Sequence, residues 1–589
     1  MKQFFKFMFA SMAGYVLLSL IMFIIFISMM ASLASFTKKT AVEVKQNSVL
    51  TLKFDQPIPD RTTNNPFGGF DFSSMKNNKV MGLDNILQTL DRAAKDDKIK
   101  GLFLDLTDIP SGMATIEEVR NALLQFKKSG KFIISYSDDY SQKAYYMATV
   151  ADKIFLNPEG GVLFKGLASE LMFFKGTLEK LDVEAQIIRH GKFKSAIEPF
   201  ILDKMSEANR EQYQKMLDVL WGQMLDGISA QRKITVEELN QFADSLKIQL
   251  ASDALKYKLV DKLVYRDEVL ADFRAELGLK ENDDINFITG AKYFKAKGQD
   301  KFKLGKKKIA LVYAIGSIGA GEGDEETIGS DKLSESIREA RNDSSVRAIV
   351  LRINSPGGSA LASEVIWREV ILAQKVKPVV VSMGDVAASG GYYIACGAQK
   401  IFAQPNTLTG SIGVFGVVPN LGNFFKNKLG ITFDVVKTNK YSDYITTTRS
   451  MVPYEKQVLT NQIENIYKVF VGHVAEGRKM KTEDVDSIGQ GRVWSGVDAK
   501  RIGLVDEIGG LQNAIDEAAK LAGMTEYKIV KYPKFKDPFT QIIEEMMGET
   551  SEAKIKETLG VNYTYYEYLK NIQKQNGVQA RLPFEMRIY

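Results

Sequence analysis

The sequence contains two related halves, and this internal repeat constrains the fold more than any other feature. A shift of 247 positions aligns the halves without a gap for over a hundred residues, and it places Gly82 on Gly329. In the best-matched stretch, Tyr-Tyr-Met-Ala at 145–148 lies over Tyr-Tyr-Ile-Ala at 392–395. We therefore expect two copies of one folding unit, since a chain of this length exceeds a single ordinary core.

Each copy shows the same alternation of helical and strand patterns. Amphipathic segments at 83–94 and 332–341 precede apolar runs at 101–106 and 348–353, and second apolar runs follow at 131–136 and 379–383. Strands that alternate with helices predict right-handed βαβ units and a mainly parallel sheet. Each copy also carries a long amphipathic helix, whose apolar stripe we expect to pack in the core or between the copies.

The N-terminus carries a long uncharged segment. Residues 7–37 contain no charged side chain, and about 20 apolar residues are enough to cross a bilayer as a helix. A cleaved signal peptide is the alternative because residues 31–35 are small, although its apolar region usually has about 7 to 15 residues. We predict a retained, single-pass membrane anchor. Lysines flank both ends of the segment, so the charge pattern does not set its orientation.

Composition limits the chemistry of the rest of the chain. A net charge of +6 over 589 residues is small and does not fit the dense basic surface of a nucleic-acid binder. The single cysteine, Cys396, excludes an intrachain disulfide and a cysteine-based metal site. The two histidines, His190 and His473, lack a paired acidic motif, which makes histidine a poor candidate for a catalytic base. We predict no metal, no cofactor and no nucleic-acid partner.

These patterns divide the chain into five segments. We predict a membrane anchor at 1–47, a first α/β repeat at 48–290, a lysine-rich linker at 291–308, a second α/β repeat at 309–525 and a C-terminal extension at 526–589. The extension includes a helical pattern near 539–547.

Two glycine-rich turns follow strands of the second copy. The turn Asn-Ser-Pro-Gly-Gly-Ser occupies 354–359, and the turn Ala-Ala-Ser-Gly-Gly-Tyr occupies 387–392. The carboxyl ends of parallel strands lie at one edge of a sheet, so we expect the turns to be neighbours. Ser389, between small residues, is the candidate nucleophile of an acyl-transfer site. The candidate oxyanion-hole donors are the backbone N–H groups of Gly390 and Gly357, with Gly358 as an alternative to Gly357.

The first copy lacks this set of residues. Gln142 stands where the second copy has Ser389, and Thr-Asp-Ile-Pro-Ser at 107–111 replaces the first glycine-rich turn. The first copy offers instead two lysines, Lys192 and Lys194, within the segment 191–200. A lysine can replace histidine as a general base if burial lowers its pKa enough to keep the amine neutral.

The segments 194–200, 354–359 and 387–393 together closely resemble the motifs of the signal peptide peptidase A family, also called protease IV (peptidase family S49), in its long two-repeat form. The resemblance covers nearly the whole chain. It implies two tandem Clp protease/crotonase-like α/β repeats preceded by one N-terminal transmembrane helix. It also implies that Ser389 is the nucleophile, that Lys194 is the general base and that the Ser411 hydroxyl helps to hold the lysine.

The same resemblance implies where the protein works and on what. Members of the family are homotetrameric serine proteases that degrade cleaved signal peptides at the periplasmic face of the bacterial inner membrane. It therefore implies peptide substrates and contact with membrane lipid through the N-terminal helix. Proximity to the membrane suits substrates with apolar segments, so we predict aliphatic pockets near Ser389.

The repeat agrees with this division of roles. The position that corresponds to Lys194 in the second copy is Tyr441, so each copy has kept one of the two groups and lost the other. Such complementary loss predicts one complete site per chain, across the interface between the copies. The alternatives are a crotonase-like acyl-CoA enzyme, which shares the fold and a two-amide oxyanion hole, and a non-catalytic membrane scaffold. We interpret Asp385 and Glu198 as local salt-bridge or turn residues, and Lys192 as a solvated neighbour.

Overall fold

A computed structural model describes residues 2–36, 42–63, 70–71, 76–77, 80–296, 306–535 and 578–581. The predicted helical pattern near 539–547 and the centre of the predicted linker lie outside these ranges.

The chain begins with the helix α1 (Lys2–Phe36). Its portion Gln3–Ile24 spans 22 residues and contains an 18-residue window with a mean hydropathy of 2.2, none of which is buried against the rest of the protein. Length and composition of this portion fit a membrane span, and they also fit a signal sequence near an N-terminus. Retention of the anchor therefore stays a prediction.

The first copy forms a six-stranded sheet with helices on its faces. All strand pairs in this sheet are parallel, in the order β8, β6, β5, β4, β1, β9. The elements are β1 (Ser48–Leu52), β2 (Phe70–Asp71), β3 (Lys76–Asn77), α2 (Leu83–Lys95), β4 (Ile99–Asp105), α3 (Met113–Lys127), β5 (Phe132–Tyr140), α4 (Gln142–Ala148), β6 (Lys153–Val162), α5 (Lys175–Lys180), β7 (Glu184–Arg189), a 3-10 turn (Ser195–Ile197), α6 (Glu198–Ile201), α7 (Glu207–Arg232), α8 (Val236–Asp244), α9 (Ala251–Lys256), β8 (Lys262–Leu263), α10 (Arg266–Leu277), β9 (Asn286–Thr289) and α11 (Gly290–Lys295).

The second copy repeats this plan. Its sheet follows the order β19, β17, β15, β13, β10, β21, with β16 and β20 paired beside β15. The elements are β10 (Lys308–Ile315), β11 (Ser317–Gly319), β12 (Thr327–Gly329), α12 (Ser330–Asn342), β13 (Val346–Ser355), β14 (Gly357–Ser359), α13 (Ala360–Gln374), β15 (Val379–Ala388), α14 (Gly390–Ala395), β16 (Lys400–Ala403), β17 (Leu408–Gly410), β18 (Phe415–Asn420), α15 (Gly422–Leu429), α16 (Pro453–Arg478), α17 (Thr482–Ile488), β19 (Val493–Ser495), α18 (Gly496–Arg501), β20 (Glu507–Ile508), α19 (Leu511–Leu521), β21 (Lys528–Tyr532) and β22 (Val578–Arg581).

The predicted apolar runs form the central strands of both sheets. They match β4, β5, β13 and β15 to within one residue, and the helical segments before them lie within α2 and α12. Central strands that are covered by helices on both faces are buried on both sides, which explains why they are continuously apolar instead of alternating. The predicted α/β class with two tandem repeats is confirmed.

A third, mixed sheet joins the two copies. Its strand order is β12, β11, β14, β22, β18, β7, so that β7 of the first copy extends a sheet whose other members belong to the second copy or lie C-terminal to it. The strand β7 runs antiparallel to β18, with Arg189 opposite Phe415 and Glu184 opposite Asn420. This pairing brings the segment after β7 into the second copy.

The long helices pack as the apolar stripes predict. In α7, Tyr213 and Met216 pack against Ala388, Leu408 and Val493 of the second copy. Farther along α7, four stripe residues enter the core of the first copy: Leu220, Met224, Leu225 and Ile228. The stripe of α16 lies in the core of the second copy. Helix α7 therefore serves both the core and the interface between copies.

Buried charges also cross this interface. The Arg352 side chain on β13 forms ion pairs with two carboxylates of the first copy, at 2.6 Å from Asp60 Oδ1 and 2.7 Å from Glu118 Oε1. The second oxygen of Asp60 accepts a hydrogen bond from Asn354 Nδ2 at 2.7 Å. The second oxygen of Glu118 accepts one from the backbone N–H of Leu511 at 2.7 Å. The network thus ties the first copy to the strand that leads into the first glycine-rich turn.

The interpretation of Asp385 as a local salt-bridge or turn residue was wrong. Its carboxylate accepts hydrogen bonds from the backbone N–H of Thr115, at 3.0 Å, and from the Thr115 hydroxyl, at 2.6 Å. Thr115 lies in the first turn of α3, where free backbone N–H groups favour an anion. Asp385 therefore caps a helix of the other copy.

Candidate active site

Ser389 lies at the junction between β15 and α14. Its backbone has φ 55° and ψ −114°, a conformation that is strained for a residue with a side chain. The Ser389 N–H donates to Gly410 O at 2.8 Å, and the Ser389 carbonyl accepts from the Tyr393 N–H at 2.8 Å. These bonds hold the turn, and the side chain is 0 % exposed.

Lys194 lies in the loop that follows β7. The neighbouring Phe193 N–H donates to Gln490 O at 3.1 Å, and Arg189 Nη1 donates to Lys194 O at 3.4 Å. On the second copy, Gly491 has φ +82°, and a Cβ added there would lie 2.7 Å from Lys194 Cβ. Only glycine allows this close approach, so the turn around Gly491 helps to seat the lysine.

The Lys194 amine meets two serine hydroxyls. Nζ lies 2.8 Å from Ser389 Oγ and 3.0 Å from Ser411 Oγ, and it donates to the Ser411 carbonyl at 3.2 Å. The Ser411 hydroxyl also lies 3.3 Å from the Gly491 carbonyl, to which it can donate. The structure therefore brings together the three side chains that the sequence singled out, from both copies of one chain.

Burial sets the protonation of this amine. The Lys194 side chain is 0 % exposed, and loss of hydration lowers its pKa well below the usual 10.5. Desolvation is the cause of this shift, and it disfavours the charged form. An uncharged amine at hydrogen-bond distance from a hydroxyl can accept the proton of that hydroxyl.

The candidate oxyanion glycines also lie together. Gly357 has φ +94°, and a Cβ added there would lie 2.6 Å from the backbone nitrogen of Gly390. The Gly357 N–H donates to Ser355 Oγ at 3.1 Å. Gly358 is the next residue of β14. The two glycine-rich turns are thus neighbours beside Ser389, as expected for the carboxyl ends of adjacent parallel strands.

Both histidines have carboxylate partners from distant parts of the chain. His190 Nδ1 lies 2.8 Å from Glu464, and His473 Nε2 lies 3.0 Å from Glu364. The sequence shows no paired acidic motif for either histidine because these partners are 274 and 109 positions away in the chain. Among the residues that the structure describes, the hydrogen bonds of the Ser389 and Lys194 side chains involve neither histidine.

The structure also shows the surroundings of Lys192 and Glu198. Lys192 is exposed, as predicted. Glu198 is buried and accepts hydrogen bonds from the Ser206 N–H and hydroxyl and from Asn209 Nδ2. Ser206 is the N-cap of α7, so Glu198 supports the start of that helix. Within the ranges that the structure describes, no cluster of three or more His, Cys, Asp or Glu side chains could hold a metal ion.

A buried serine, an adjacent desolvated amine and a pair of close glycine turns are the components of an acyl-transfer site on an α/β scaffold. Comparisons with known proteins define the class further. The model of peptidase family S49 matches the chain twice, at residues 125–280 and 371–525.

The named relatives of this chain are proteases as well. The chain is 38 % identical over 467 residues to Protease 4 of Salmonella typhi. This alignment covers 78 % of this chain and 75 % of that protein. It is 32 % identical over 550 residues to the chloroplastic serine protease SPPA of Arabidopsis thaliana, and this alignment covers 92 % of this chain and 78 % of that protein. Among solved structures, a ClpP1 mutant of Listeria monocytogenes covers 35 % of this chain and 94 % of its own, at 18 % identity and a TM-score of 0.24. The chain belongs to peptidase family S49, as its resemblance to the long, two-repeat form predicts.

Proposed function

We propose that this protein is a serine endopeptidase in which Ser389 and Lys194 form a catalytic dyad. The observation that carries the proposal is the distance of 2.8 Å between Lys194 Nζ and Ser389 Oγ, with both side chains buried. Membership of a peptidase family supports hydrolysis of peptide bonds over the acyl-CoA chemistry of a crotonase-like enzyme. It also favours a catalyst over a non-catalytic scaffold.

The mechanism follows from the positions of the groups. The neutral Lys194 amine takes the Ser389 proton while the hydroxyl oxygen attacks a peptide carbonyl. We assign the Gly390 N–H as the first oxyanion donor and Gly357 or Gly358 as the second, since the Gly357 N–H already donates to Ser355. The Lys194 ammonium then protonates the leaving amine, and water hydrolyses the acyl-enzyme. Ser411 keeps the amine in place throughout.

The setting of the site suggests its substrates and location. We propose that the protein degrades cleaved signal peptides and other apolar peptides, with α1 holding it at the bacterial inner membrane and the catalytic part on the periplasmic side. The apolar portion of α1 supports proximity to lipid. We further propose a homotetramer, as the family resemblance implies.

Covalent labelling tests the nucleophile directly. We expect a fluorophosphonate probe to modify the purified protein once per chain, on Ser389, because the neighbouring amine activates this hydroxyl. Tryptic mass spectrometry locates the adduct, and Ser389→Ala should abolish it. An adduct on another serine, or labelling that survives Ser389→Ala, would contradict the assignment.

The pH dependence tests the base. Protonated Lys194 cannot accept a proton, so kcat/KM should fall as pH drops through the lowered pKa of this amine and reach a plateau well below pH 10.5. The unfolded chain keeps this proton up to about pH 10.5, so the free energy of unfolding should rise with pH between the lowered pKa and 10.5. Lys194→Met should remove the second effect. The exposed Lys192→Ala variant should show both profiles unchanged, and a wild-type midpoint near 10.5 would refute a desolvated base.

A further inference from the structure

A turn at residues 489–492, between α17 and β19, supports Lys194 from the side of the second copy. Its Gln490 carbonyl accepts a hydrogen bond from the Phe193 N–H at 3.1 Å, and Gly491 lies against the Lys194 side chain. We refer to residues 489–492 as the seating turn, because the base of the lysine side chain rests on it.

The seating turn also contacts Ser411, the other serine beside the Lys194 amine. The Arg492 carbonyl accepts from the Ser411 N–H at 2.7 Å, and the Gly491 carbonyl lies 3.3 Å from Ser411 Oγ. A displacement of the turn would therefore move Lys194 and Ser411 together. The distance of 2.8 Å between Lys194 Nζ and Ser389 Oγ thus depends on where the turn is held.

A tyrosine holds the seating turn in a strained conformation. Gln490 has φ 52°, in the left-handed region that residues with a side chain rarely adopt, so this backbone needs support from its surroundings. Its N–H donates to the phenol oxygen of Tyr467 at 3.2 Å, and the Tyr467 hydroxyl donates to Asp486 Oδ1 at 2.6 Å. Tyr467 is buried in the core of the second copy, so it ties the turn to a closely packed part of the fold.

The Tyr467 ring also contacts the first copy. It stacks on the ring of His190, with centroids 3.7 Å apart and an interplanar angle of 24°. The His190 N–H donates to the Val414 carbonyl at 3.0 Å, which fixes the backbone of this segment. His190 lies four positions before Lys194. One tyrosine therefore contacts both the segment that carries the lysine and the turn that supports it.

The first copy keeps the bond between the two helices but not the bond to a turn. Helices α7 and α16 both have 26 residues, and their alignment places Tyr467 over Trp221 and Asp486 over Asn240. Trp221 Nε1 donates to Asn240 Oδ1 at 2.8 Å. An indole N–H only donates, whereas a phenol hydroxyl both donates and accepts. Residues 240–250 also contain no glycine. The copy without a nucleophile thus lacks both the acceptor and the glycine turn.

We propose that Tyr467 is a positioning residue, which holds Lys194 against Ser389 through the seating turn. This role rests on the proposed function, because it has a purpose only if the two side chains form a dyad. Tyr467 acts on the base through Gln490 and does not touch the reacting atoms. Its hydroxyl fixes the turn, and the fixed turn keeps the lysine amine in place and shielded from water.

Kinetics of the full-length, detergent-solubilised protein on a fluorogenic peptide test this role. Tyr467→Phe keeps the ring and removes the hydroxyl, so we expect kcat to fall about 10- to 100-fold while KM changes less than about twofold. Water should reach the loosened amine, so the pKa of Lys194 should rise toward 10.5. The midpoint of the kcat/KM profile should then move upward by at least about 0.5 pH unit. Asp486→Ala leaves the phenol without its acceptor and should move the midpoint in the same direction.

Tyr293→Phe is the matched control. Tyr293 is buried in the core of the first copy, and its hydroxyl also donates to an aspartate, Asp96, at 2.9 Å. The control removes the same kind of bond at a position that does not contact the seating turn. It should lower the free energy of unfolding to a similar extent as Tyr467→Phe and keep the wild-type kcat and pH midpoint.

The outcomes distinguish the positioning role from the dyad itself. An unchanged pH midpoint in Tyr467→Phe and Asp486→Ala would overturn the positioning role, and so would an equal loss of kcat in Tyr293→Phe. Either result would leave the dyad in place if hydrolysis by the wild-type protein is lost in Ser389→Ala. If the wild-type protein hydrolyses no peptide, or if Ser389→Ala keeps its activity, the proposed function fails and the positioning role fails with it.

Discussion

Replacing either Ser389 or Lys194 with alanine is expected to lower kcat for peptide hydrolysis by about 10⁴- to 10⁶-fold. Without the hydroxyl no acyl-enzyme can form, and without the amine the hydroxyl loses the base that lies 2.8 Å away. The two groups act as a unit, so the double variant should be about as slow as either single variant. Steady-state hydrolysis of a fluorogenic peptide measures all three.

The controls separate chemistry from folding. Lys194→Met keeps most of the volume of the buried side chain and should be as inactive as Lys194→Ala while it unfolds at a similar denaturant concentration. Lys192→Ala removes an exposed lysine two positions away and should keep wild-type kcat. Retained turnover in a folded Ser389 or Lys194 variant would refute the dyad. Strictly additive effects of the two substitutions would show that the groups do not cooperate.

The parts of the structure that sequence could predict are those that repeat or that depend on near neighbours. The shift of 247 positions located both copies, and continuous apolar runs located the central strands. The two glycine turns follow such strands, so parallel topology alone placed them side by side. The loss of the serine in one copy and of the lysine in the other predicted a site shared between copies, and this is where the structure places Ser389 and Lys194.

The parts that sequence missed depend on contacts between distant segments. Nothing near β7 in sequence indicates that it pairs with β18, yet this pairing carries Lys194 across the interface. Asp385 looked local because Thr115 is 270 positions away. The pairing of β22 beside Ser389 has no signal in the repeat, since residues 578–581 have no counterpart in the first copy. In each case the partner is chosen by packing of the whole fold and not by spacing along the chain.

The buried charges between the copies should have a large effect on stability. Arg352→Met removes the cation that compensates Asp60 and Glu118, whose side chains are buried with it. Loss of one member of a buried ionic network typically costs about 3–5 kcal/mol, because the remaining carboxylates stay dehydrated without a counter-charge. We therefore expect chemical denaturation to show a fall of this size in the free energy of unfolding. Arg347→Met, at an exposed position near the start of the same strand, is the matched control and should change the free energy of unfolding by less than about 0.5 kcal/mol.

Arg352→Met should also slow catalysis, because it disturbs the positions of the two glycine turns. Asp60 holds Asn354, and Asn354 Oδ1 accepts from the Val386 N–H at 3.2 Å, so the network reaches both strands that end at the glycine turns. A folded Arg352→Met protein should therefore hydrolyse peptides more slowly while its pH profile stays unchanged, since Lys194 is not altered. A triple variant, Arg352→Met with Asp60→Asn and Glu118→Gln, also removes the two uncompensated negative charges. It should recover much of the lost stability, because the penalty comes from the dehydrated carboxylates and not from the missing ion pairs. A triple variant as unstable as the sum of its single substitutions would show instead that the ion pairs themselves hold the two copies together.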